Sequence, residues 1–254
     1  MKRSGAQVDV VRLILDPPAP GAWNMAVDEA LLESAATARR ATLRFYGWSE
    51  PTVSLGYFQR NQSRQEHPPS LGCAVVRRST GGGAIVHDRE LTYSFTAPVA
   101  DRFSDEAGRL YRTFHDTLAE LLVEMGLAAE VNAAPSARSA ASEPFLCFLR
   151  RTQGDLLVGP HKVAGSAQRR HKRGVLQHGS VLLRASPCAP ELPGLNDLGP
   201  QTIASEALID AWSIRVARAL GVRVDREEVS PSESTRATEV HDRRFGTTEW
   251  TARR

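Results

Sequence analysis

A single cysteine, Cys147, stands in the segment EPFLCFLRRTQGDLLV, with apolar residues around it and two arginines close behind it. A free cysteine acts as a small hydrophobic residue when it is buried and as a nucleophile when its thiolate form is favoured. The local sequence fits both interpretations. The decision therefore depends on the groups that the fold brings to this thiol.

The other two cysteines, Cys73 and Cys188, form no C-x-x-C pair and lie far from Cys147 along the chain. With an odd total, this distribution indicates neither a disulfide framework nor a thiolate zinc site. We expect Cys73 and Cys188 to be core or incidental residues, and the protein to work in the reducing cytoplasm.

The segment RRSTGGGAIVH, residues 77–87, places three successive glycines between two predicted strands. Glycines allow positive φ and let the backbone approach a ligand closely, and the preceding arginines can bind an anion or a carbonyl group. The segment is not a P-loop, because no Gly-Lys-Ser/Thr follows. It is not a dinucleotide fingerprint either, because a strand follows instead of a helix. A ligand-binding turn and a flexible hairpin loop both remain open.

Two histidines near these segments carry possible chemistry. His178, in LQHGS, either orients a reacting group or forms a hydrogen bond in the core, and His87 is interpreted as a packing residue or part of a pocket wall. No pair of histidines with carboxylates has the spacing of a metal site, so we expect no metal ion.

The composition is that of an ordinary globular protein, with 254 residues of which 41% are hydrophobic and 24% charged. No apolar run reaches the roughly eighteen residues of a membrane span, and the basic N-terminus lacks the apolar core of a signal peptide. The formal net charge of +3 argues against a dedicated nucleic-acid binder and is compatible with an acidic protein partner.

Hydrophobic periodicity predicts the elements that must position these residues. Strands are expected in VDVVRLIL, ATLRFYGW, PTVSLGYF, CAVVRRST, ELTYSFTAP, DLLVGPHKVAGSAQRR (as a hairpin), GVLQHGSVLL and VRVDREEV. Helices are expected from Ser104 to about Leu127 and from Ile203 to about Gly221. A further helix is predicted from Asn24, whose side chain would cap it, with acidic residues early and arginines late. Residues 132–144 are predicted to be a surface loop.

Strands and helices are mixed along the chain and do not alternate strictly, which favours an α+β fold with a mixed, largely antiparallel sheet flanked by helices. We expect one domain over residues 1–254, with residues 203–254 as a possible small C-terminal helical lobe.

Three motifs occur in an order that resembles the biotin/lipoate protein ligase superfamily: SLGYFQ, RRSTGGGAIVHD and HKVAGSAQRR with LQHGSVLL. The resemblance extends over about residues 20–250 and implies a catalytic domain of that type. It implies an acyl-binding pocket bordered by the glycine turn, and a lysine, Lys162, that contacts the acyl carbonyl. An ammonium group there would stabilise an oxyanion and favour the thiolate of a neighbouring cysteine. The alternative is a solvated lysine on a hairpin edge.

The substrate-binding residues implied by the resemblance border this pocket. They are Tyr57, Arg77, Arg78, Thr80, Gly81, Gly82, Gly83, Ala84, His87, Gly165, Ser166, Ala167, His178 and Gly179. The small side chains at 165–167 would leave room for an acyl chain, although close packing of strands explains them as well.

Within the superfamily, ATP-dependent ligases form an acyl-adenylate and need no cysteine, whereas one branch of octanoyltransferases carries a Cys-Phe pair shortly before the lysine strand. Cys147-Phe148 stands at that place, and the tail FGTTEWTARR is similar to the tail of this branch. The resemblance therefore implies catalysis by Cys147 and Lys162 without a cofactor. Octanoyl would pass from octanoyl-acyl carrier protein to a lysine of a lipoyl domain, such as that of the glycine cleavage H protein.

Three alternatives stay open: a lipoate ligase that uses ATP and Mg, a non-catalytic module that binds lipoyl domains or acyl groups, and an amidotransferase acting between lipoyl proteins. The basic run after Cys147-Phe148 and the HKVAG turn depart from the usual pattern of the branch. We expect a monomer that binds neither nucleic acid nor membrane. Basic residues near the proposed site predict steering of acidic protein substrates; they are Arg150, Arg151, Arg169, Arg170, Lys172 and Arg173.

Overall fold

The computed structural model describes residues 10–99, 107–134, 143–170 and 174–254. Within these ranges the strands are β1 (Val10–Leu15), β2 (Ala41–Tyr46), β3 (Thr52–Leu55), β4 (Ala74–Arg77), β5 (Ile85–His87), β6 (Glu90–Pro98), β7 (Ala129–Val131), β8 (Leu156–Val158), β9 (His161–Arg170), β10 (Gly174–Leu182) and β11 (Arg223–Arg226). The helices are α1 (Gly21–Ala38), α2 (Ala107–Glu124), α3 (Leu195–Leu198), α4 (Ser205–Leu220), α5 (Pro231–Val240) and α6 (Thr248–Ala252). Short 3₁₀ turns occupy Asn61–Glu66, Pro68–Ser70 and Cys147–Leu149, and a π-helical turn follows α5 at His241–Phe245.

Eight of these strands form one sheet in the order β11-β1-β2-β6-β10-β9-β8-β7. β1 runs parallel to both of its neighbours, and every other neighbouring pair is antiparallel. A smaller sheet has the order β4-β3-β5. The prediction of an α+β fold with a mixed, largely antiparallel sheet is confirmed.

One face of the large sheet packs against α2 and α4 through an aromatic core. Side chains alternate between the two faces of a strand, so that Phe45 and Tyr93 point to this side. The Tyr93 ring stacks on Phe114 of α2 with centroids 4.7 Å apart, and Trp212 of α4 lies 5.0 Å from Tyr93 and 5.7 Å from Phe45. The apolar faces from which α2 and α4 were predicted are thus the faces that pack on the sheet.

Helix α1 covers the opposite face, and it begins at Gly21 instead of at Asn24. The prediction that Asn24 caps the helix is wrong, because Pro20 already stands at the cap position and Asn24 lies buried inside the first turns. Its amide nitrogen donates to the carbonyl oxygens of Ala19 and Gly47, at 3.1 and 2.9 Å. The first turn contains no acidic residue, because the helix starts three residues earlier than expected, and the last turn contains no arginine, because the helix ends at Ala38.

The C-terminal segment is packed across the molecule and does not stand apart from it. β11 pairs with β1 at the edge of the large sheet, α4 adds Trp212 to the aromatic core, and α5 packs on α1. We therefore propose a single domain, in preference to a separate lobe at 203–254.

Several predicted features lie partly or wholly outside the described residues: the N-terminal nine residues, the start of the helix predicted from Ser104, most of the loop 132–144, and Lys172 and Arg173. Among the described residues, no helix combines the length and the apolar character needed to cross a membrane.

A buried ion pair connects α5 to β1. Two nitrogens of Arg12 donate to the two carboxylate oxygens of Glu233, at 2.8 and 2.9 Å, and both side chains are about 7% exposed or less. Burial alone would raise the pKa of Glu233, but hydrogen bonds from Arg12, Ser230 and Ser34 lower it from 4.5 to about 2. The carboxylate therefore stays charged in the folded protein over the whole neutral and mildly acidic range.

Replacing Glu233 with Gln should lower the free energy of unfolding by about 3 kcal/mol at neutral pH, because the Arg12 guanidinium is then buried without its counter-charge. Since folding lowers the pKa of Glu233, this stabilisation is complete above about pH 4.5 and is lost as the pH falls toward 2. Urea denaturation of the parent protein and of Glu233→Gln at several pH values measures the difference in their free energies of unfolding. This difference should become smaller in the acidic range.

Glu227→Gln is the matched control, because Glu227 forms a two-point ion pair with Arg40 in which both side chains are more than a third exposed. Its loss should cost less than about 1 kcal/mol. Equal losses of unfolding free energy in the two variants would contradict this account. So would a difference between Glu233→Gln and the parent protein that does not change with pH.

Candidate active site

A cavity of about 540 Å³, including its open mouth, lies between the large sheet, α1 and the small sheet. Its apolar lining comes from Met25, Tyr46, Trp48, Ile85 and Phe148. Its mixture of apolar and polar walls is that of a site for a small organic molecule. The remaining lining residues are Ser54, Arg78, Gly81, Gly82, His87, Thr92, Cys147, Gly165, Ser166, Ala167, His178, Gly179 and Ser180.

Cys147 lies at this cavity because the apolar side chains on either side of it are buried in the core, which leaves its own side chain at the cavity surface. Phe145, Leu146 and Phe148 belong to an apolar cluster with the small sheet, whereas Cys147 itself is half-buried. The backbone holds it from both sides: Ala84 donates its N–H to the carbonyl of Phe145 at 3.0 Å, and Cys147 donates its N–H to the carbonyl of Ala84 at 2.7 Å. The thiol is therefore fixed next to the glycine turn and accessible from the cavity.

Lys162 is brought to the thiol by the hairpin of β8 and β9. Its side chain is 3% exposed, and Nζ lies 3.8 Å from Cys147 Sγ and 3.5 Å from the carbonyl oxygen of Cys147. The interpretation of Lys162 as a solvated residue on a hairpin edge does not fit this burial. The two residues predicted to be catalytic are thus adjacent in the fold.

Asp155 completes this arrangement, and sequence reasoning missed it. Its Oδ2 lies 2.9 Å from Lys162 Nζ, with both side chains buried. The same oxygen accepts hydrogen bonds from the backbone N–H and the hydroxyl of Thr152, at 2.7 and 3.0 Å, which fixes the turn before β8. Polar residues such as Thr152 and Asp155 indicate a turn, but nothing in the local sequence indicates that the carboxylate of Asp155 will pair with Lys162.

Gly165 leaves the space that the Lys162 side chain occupies. A Cβ at residue 165 would lie 2.7 Å from Cε and 3.1 Å from Nζ of Lys162. Gly179, which pairs with Ser166 on the neighbouring strand, is equally constrained, since a Cβ there would lie 2.5 Å from the Tyr93 ring. Both glycines therefore serve close packing as well as lining the cavity.

Ser166 and Ala167 point to opposite faces of the sheet. The hydroxyl of Ser166 bonds to His115 Nε2 at 2.6 Å and to the Tyr93 hydroxyl at 2.7 Å, on the side of α2. His115 was not identified from the sequence; burial lowers its pKa to about 4, so that it is neutral at pH 7. The Ser166 side chain therefore fixes β9 from behind, and Ala167 is the small side chain next to His178 on the cavity face.

Arg78 organises the glycine turn from within. Its guanidinium donates to the carbonyl oxygens of Ser54, Gly81 and Gly83, at 2.9, 2.8 and 2.7 Å. Burial lowers the pKa of Arg78 to about 10, so that it remains a cation at pH 7. Most of its donors are thus used to shape the turn, and its charge is available to the cavity.

The glycines of the turn are required by the approach of other backbone segments. Gly82 has φ +97°, a conformation that favours glycine. A Cβ on Gly83 would lie 3.0 Å from the backbone nitrogen of Cys147, and one on Gly56 would lie 2.0 Å from the carbonyl oxygen of Gly82. The turn is a packed element that contacts the nucleophile segment, and the interpretation as a flexible hairpin loop is wrong.

Arg77 and Tyr57 are not brought to the cavity. Neighbouring strand residues point to opposite sides, so that Arg77 faces away from it and donates to the carbonyl oxygens of Gly56, Gln59 and Thr251, at 2.9, 2.7 and 2.9 Å. Tyr57 packs against Trp250, with ring centroids 5.9 Å apart. The structure gives these two residues contacts with the C-terminal segment in place of the expected substrate contacts.

His178 links the cavity to a buried carboxylate. Its Nε2 lies 2.6 Å from the Thr80 hydroxyl, and its Nδ1 lies 3.8 Å from Asp28 Oδ2. Burial lowers the pKa of His178 although Asp28 opposes this effect, so that the ring is neutral at pH 7. With the Nδ1 proton toward Asp28, Nε2 accepts from the hydroxyl of Thr80. Thr80 and Ala84 thus support the site from behind its lining.

His87 forms part of the cavity wall, as predicted. Its ring stacks on Trp48 with centroids 3.8 Å apart, and its nitrogens lie 2.7 Å from Glu90 Oε1 and 2.7 Å from the Ser54 hydroxyl. All of its polar positions are therefore occupied by protein groups.

Cys73 and Cys188 belong to the apolar cluster under the small sheet. Burial, and in second place a hydrogen bond to Cys188, raise the pKa of Cys73 to about 12. A thiol of this kind is unreactive at neutral pH, which agrees with the prediction that these two cysteines have core roles. Across the described ranges, no group of three His, Cys, Asp or Glu side chains is placed to hold a metal ion.

The sequence matches the lipoyl protein ligase A/B catalytic domain over residues 20–191, which is more than half of the chain. The chain belongs to this family. The octanoyltransferase LipM of Kyrpidia tusciae is 32% identical to it over 260 residues, covering 90% of this chain and 94% of the relative.

Two solved structures of lipoate protein ligases share the fold of this chain. One is a lipoate-protein ligase A bound with ATP, with a TM-score of 0.76 at 22% identity, covering 95% of this chain and 98% of that one. The other is the bipartite lipoate protein ligase of Thermoplasma acidophilum, with a TM-score of 0.75 at 21% identity and 95% coverage of both chains. The family resemblance read from the three motifs is confirmed.

Gly165→Ala should displace the Lys162 side chain from Cys147, because the added methyl group would lie only 2.7 Å from Cε and 3.1 Å from Nζ of Lys162. A nearby ammonium favours the reactive thiolate, so alkylation of Cys147 by iodoacetamide should become severalfold slower. Peptide mapping by mass spectrometry follows Cys147 separately from Cys73 and Cys188, which serve as internal references.

The matched control is Gly72→Ala, since a Cβ at residue 72 meets no atom within 4 Å. It should alkylate at the rate of the unmodified protein. An unchanged alkylation rate in Gly165→Ala, with unchanged thermal unfolding, would contradict this prediction, because it would show that the added methyl group does not move the Lys162 ammonium away from Cys147.

Proposed function

We propose that this protein is an octanoyltransferase of lipoate biosynthesis, which moves octanoyl from octanoyl-acyl carrier protein to a lysine of a lipoyl domain through a thioester on Cys147. The observation that carries the proposal is the accessible Cys147 thiol beside an apolar cavity, with the Lys162 ammonium 3.8 Å from Sγ. The name of the similar Kyrpidia protein supports the same activity.

The first step exchanges one thioester for another. The Cys147 thiolate attacks the octanoyl carbonyl carbon, a tetrahedral oxyanion forms, and the carrier thiolate leaves and takes up a proton. The two thioesters have similar energies, so this step needs positioning and charge stabilisation more than driving force. The fixed Lys162 ammonium supplies that stabilisation at a buried position, where a charge acts more strongly than in water.

The second step forms an amide. The neutral amine of the acceptor lysine attacks the acyl carbon on Cys147, the C–S bond breaks, the amide nitrogen releases a proton to solvent, and the Cys147 thiolate is regenerated next to Lys162. An amine with an ordinary pKa of about 10.4 must lose its proton first, and solvent at the cavity mouth receives it. The thioester is less stable than the amide, which drives the overall transfer.

Asp155 keeps Lys162 in its place for both steps. A single buried ammonium would be costly, and the carboxylate 2.9 Å away compensates its charge while Thr152 fixes the carboxylate. The octanoyl chain is assigned to the apolar part of the cavity lining, formed by Met25, Trp48 and Phe148.

The proposed reaction needs no cofactor, because the acyl group arrives already activated. The donor is proposed to be an acyl carrier protein and the acceptor a lipoyl domain, and the enzyme a cytoplasmic monomer. The T. acidophilum ligase was solved as part of a lipoylation system with its E2 lipoyl domain, which supports an acceptor of this type. A ligase that uses ATP and Mg has the same fold and is the alternative that the following experiment separates.

Incubation with octanoyl-acyl carrier protein in the absence of ATP should increase the mass of the protein by one octanoyl group, located on Cys147. The Cys147→Ala variant should gain no mass. Lys162→Ala should form the thioester about 100-fold more slowly, because it removes the charge that stabilises the oxyanion. Intact-protein mass spectrometry with rapid quenching measures both.

Addition of a lipoyl domain should then discharge the thioester and give the octanoylated lysine. Full transfer by Cys147→Ser only in the presence of ATP would sink the proposal and favour the ligase. A protein that binds octanoyl donors without any turnover would instead be a binding module.

A further inference from the structure

A second groove lies beside the glycine turn, on the outer surface. It encloses about 970 Å³, including open space, and is lined by Phe58, Arg60, Asn61, Gln62, Ala252 and Arg254. Phe58 is 66% exposed, which is unusual for a large apolar side chain. The groove is thus a concave surface with an aromatic floor and arginines at its edges.

The groove is held rigidly by the C-terminal segment. Asn61 donates its N–H to the carbonyl of Arg254 at 2.8 Å, and Trp250 Nε1 donates to the carbonyl of Arg77 at 2.8 Å. The Arg77 side chain in turn binds the carbonyl of Thr251. Both walls are therefore fixed to the strand that leads into the glycine turn.

Arginines give the groove positive charge, and no acidic side chain of the described residues forms an ion pair with them. Arg60, Arg253 and Arg254 are exposed, and within the described ranges none of them has an acidic partner. Burial, and after it the charges of Arg253 and Arg254, lower the pKa of Arg77. Arg150 and Arg169, which were expected to steer acidic partners, are instead paired with Glu143 and Glu29.

The aromatic floor joins the groove to the acyl cavity. The Phe58 ring lies 3.9 Å from the Cβ position of Gly81, a cavity residue, and the Arg254 guanidinium lies 5.3 Å from the centre of that ring. Gly83, two residues further, contacts Cys147. With 3.8 Å between successive Cα atoms, Arg254 is no more than about 25 Å from Cys147 along this path, and nearer in a straight line.

We propose that this groove binds the phosphodiester of the phosphopantetheine arm that carries the acyl group, with Arg60 and Arg254 as its phosphate ligands. The proposal rests on the octanoyltransferase function. The arm ends in the thioester, and at about 3.5 Å per peptide-length unit it spans roughly 15–20 Å, a length of the same order as the path of contacts from Arg254 to Cys147. Exposed arginines are the side chains that bind phosphate in two-point fashion, and the Phe58 ring offers an apolar contact to the arm.

Three octanoyl donors test this assignment: octanoyl-acyl carrier protein, octanoyl-phosphopantetheine and octanoyl-pantetheine, which lacks the phosphate. In the Arg60→Ala/Arg254→Ala variant, kcat/KM for acylation of Cys147 should fall about tenfold with the two donors that contain phosphate. With octanoyl-pantetheine it should change less than twofold. The unchanged reaction with that donor also shows that the variant is folded and that its thiol is active.

Arg218→Ala/Arg223→Ala is the matched control, because it removes the same charge from exposed positions in α4 and β11. It should react like the parent with every donor. An equal loss with all three donors, or a loss confined to the whole carrier protein, would overturn the phosphate assignment. A parent enzyme that accepts octanoyl from none of the donors refutes the octanoyltransferase function itself, and the groove assignment with it.

Discussion

The buried carboxylate of Asp28 is the interaction on which the rest of the structure depends. It accepts hydrogen bonds from Arg44, Tyr46 and Ser94, at 2.8, 2.9 and 2.7 Å, and it faces His178. Burial alone would raise its pKa, yet the interaction with the nearby His178 and the charge of Arg44 lower it. Because a buried charge that loses a partner is strongly destabilising, this carboxylate fixes α1 against three strands at once.

The active site is built outward from this fixed point. His178, which faces Asp28, also binds Thr80 and so positions the glycine turn. The carbonyl of Ala84, at the end of that turn, accepts the N–H of Cys147 and positions the nucleophile segment. Lys162 arrives from the other side, on the β8–β9 hairpin, and its ammonium is paired with Asp155 at the start of that hairpin. The thiol and the ammonium are therefore held by two separate parts of the fold, which meet only at the cavity.

The sequence predicts the elements and the two central residues well, because strand alternation and the Cys-Phe and Lys-Val motifs are local signals. It fails where a role depends on a distant partner. Nothing in QGDLLV distinguishes a surface aspartate from one buried against Lys162, and Asn24 has the right chemistry for a cap although Pro20 takes that position. Two adjacent strand residues cannot face the same cavity, but only the structure shows that Arg78, and not Arg77, faces it.

The glycine contacts divide the cavity into a wall of backbone and a wall of side chains. At Gly83 and Gly165 an added methyl group would lie about 3 Å or less from the nucleophile segment or from Lys162, so a larger residue there would disturb the reacting groups whatever acyl group is bound. The side chain of Met25, on α1, belongs to another part of the cavity lining, whereas the Phe148 ring lies 5.3 Å from Lys162 Nζ and directly follows Cys147. Divergence in acyl-chain length within such a fold, in evolution or in the laboratory, is therefore confined to one side of the pocket.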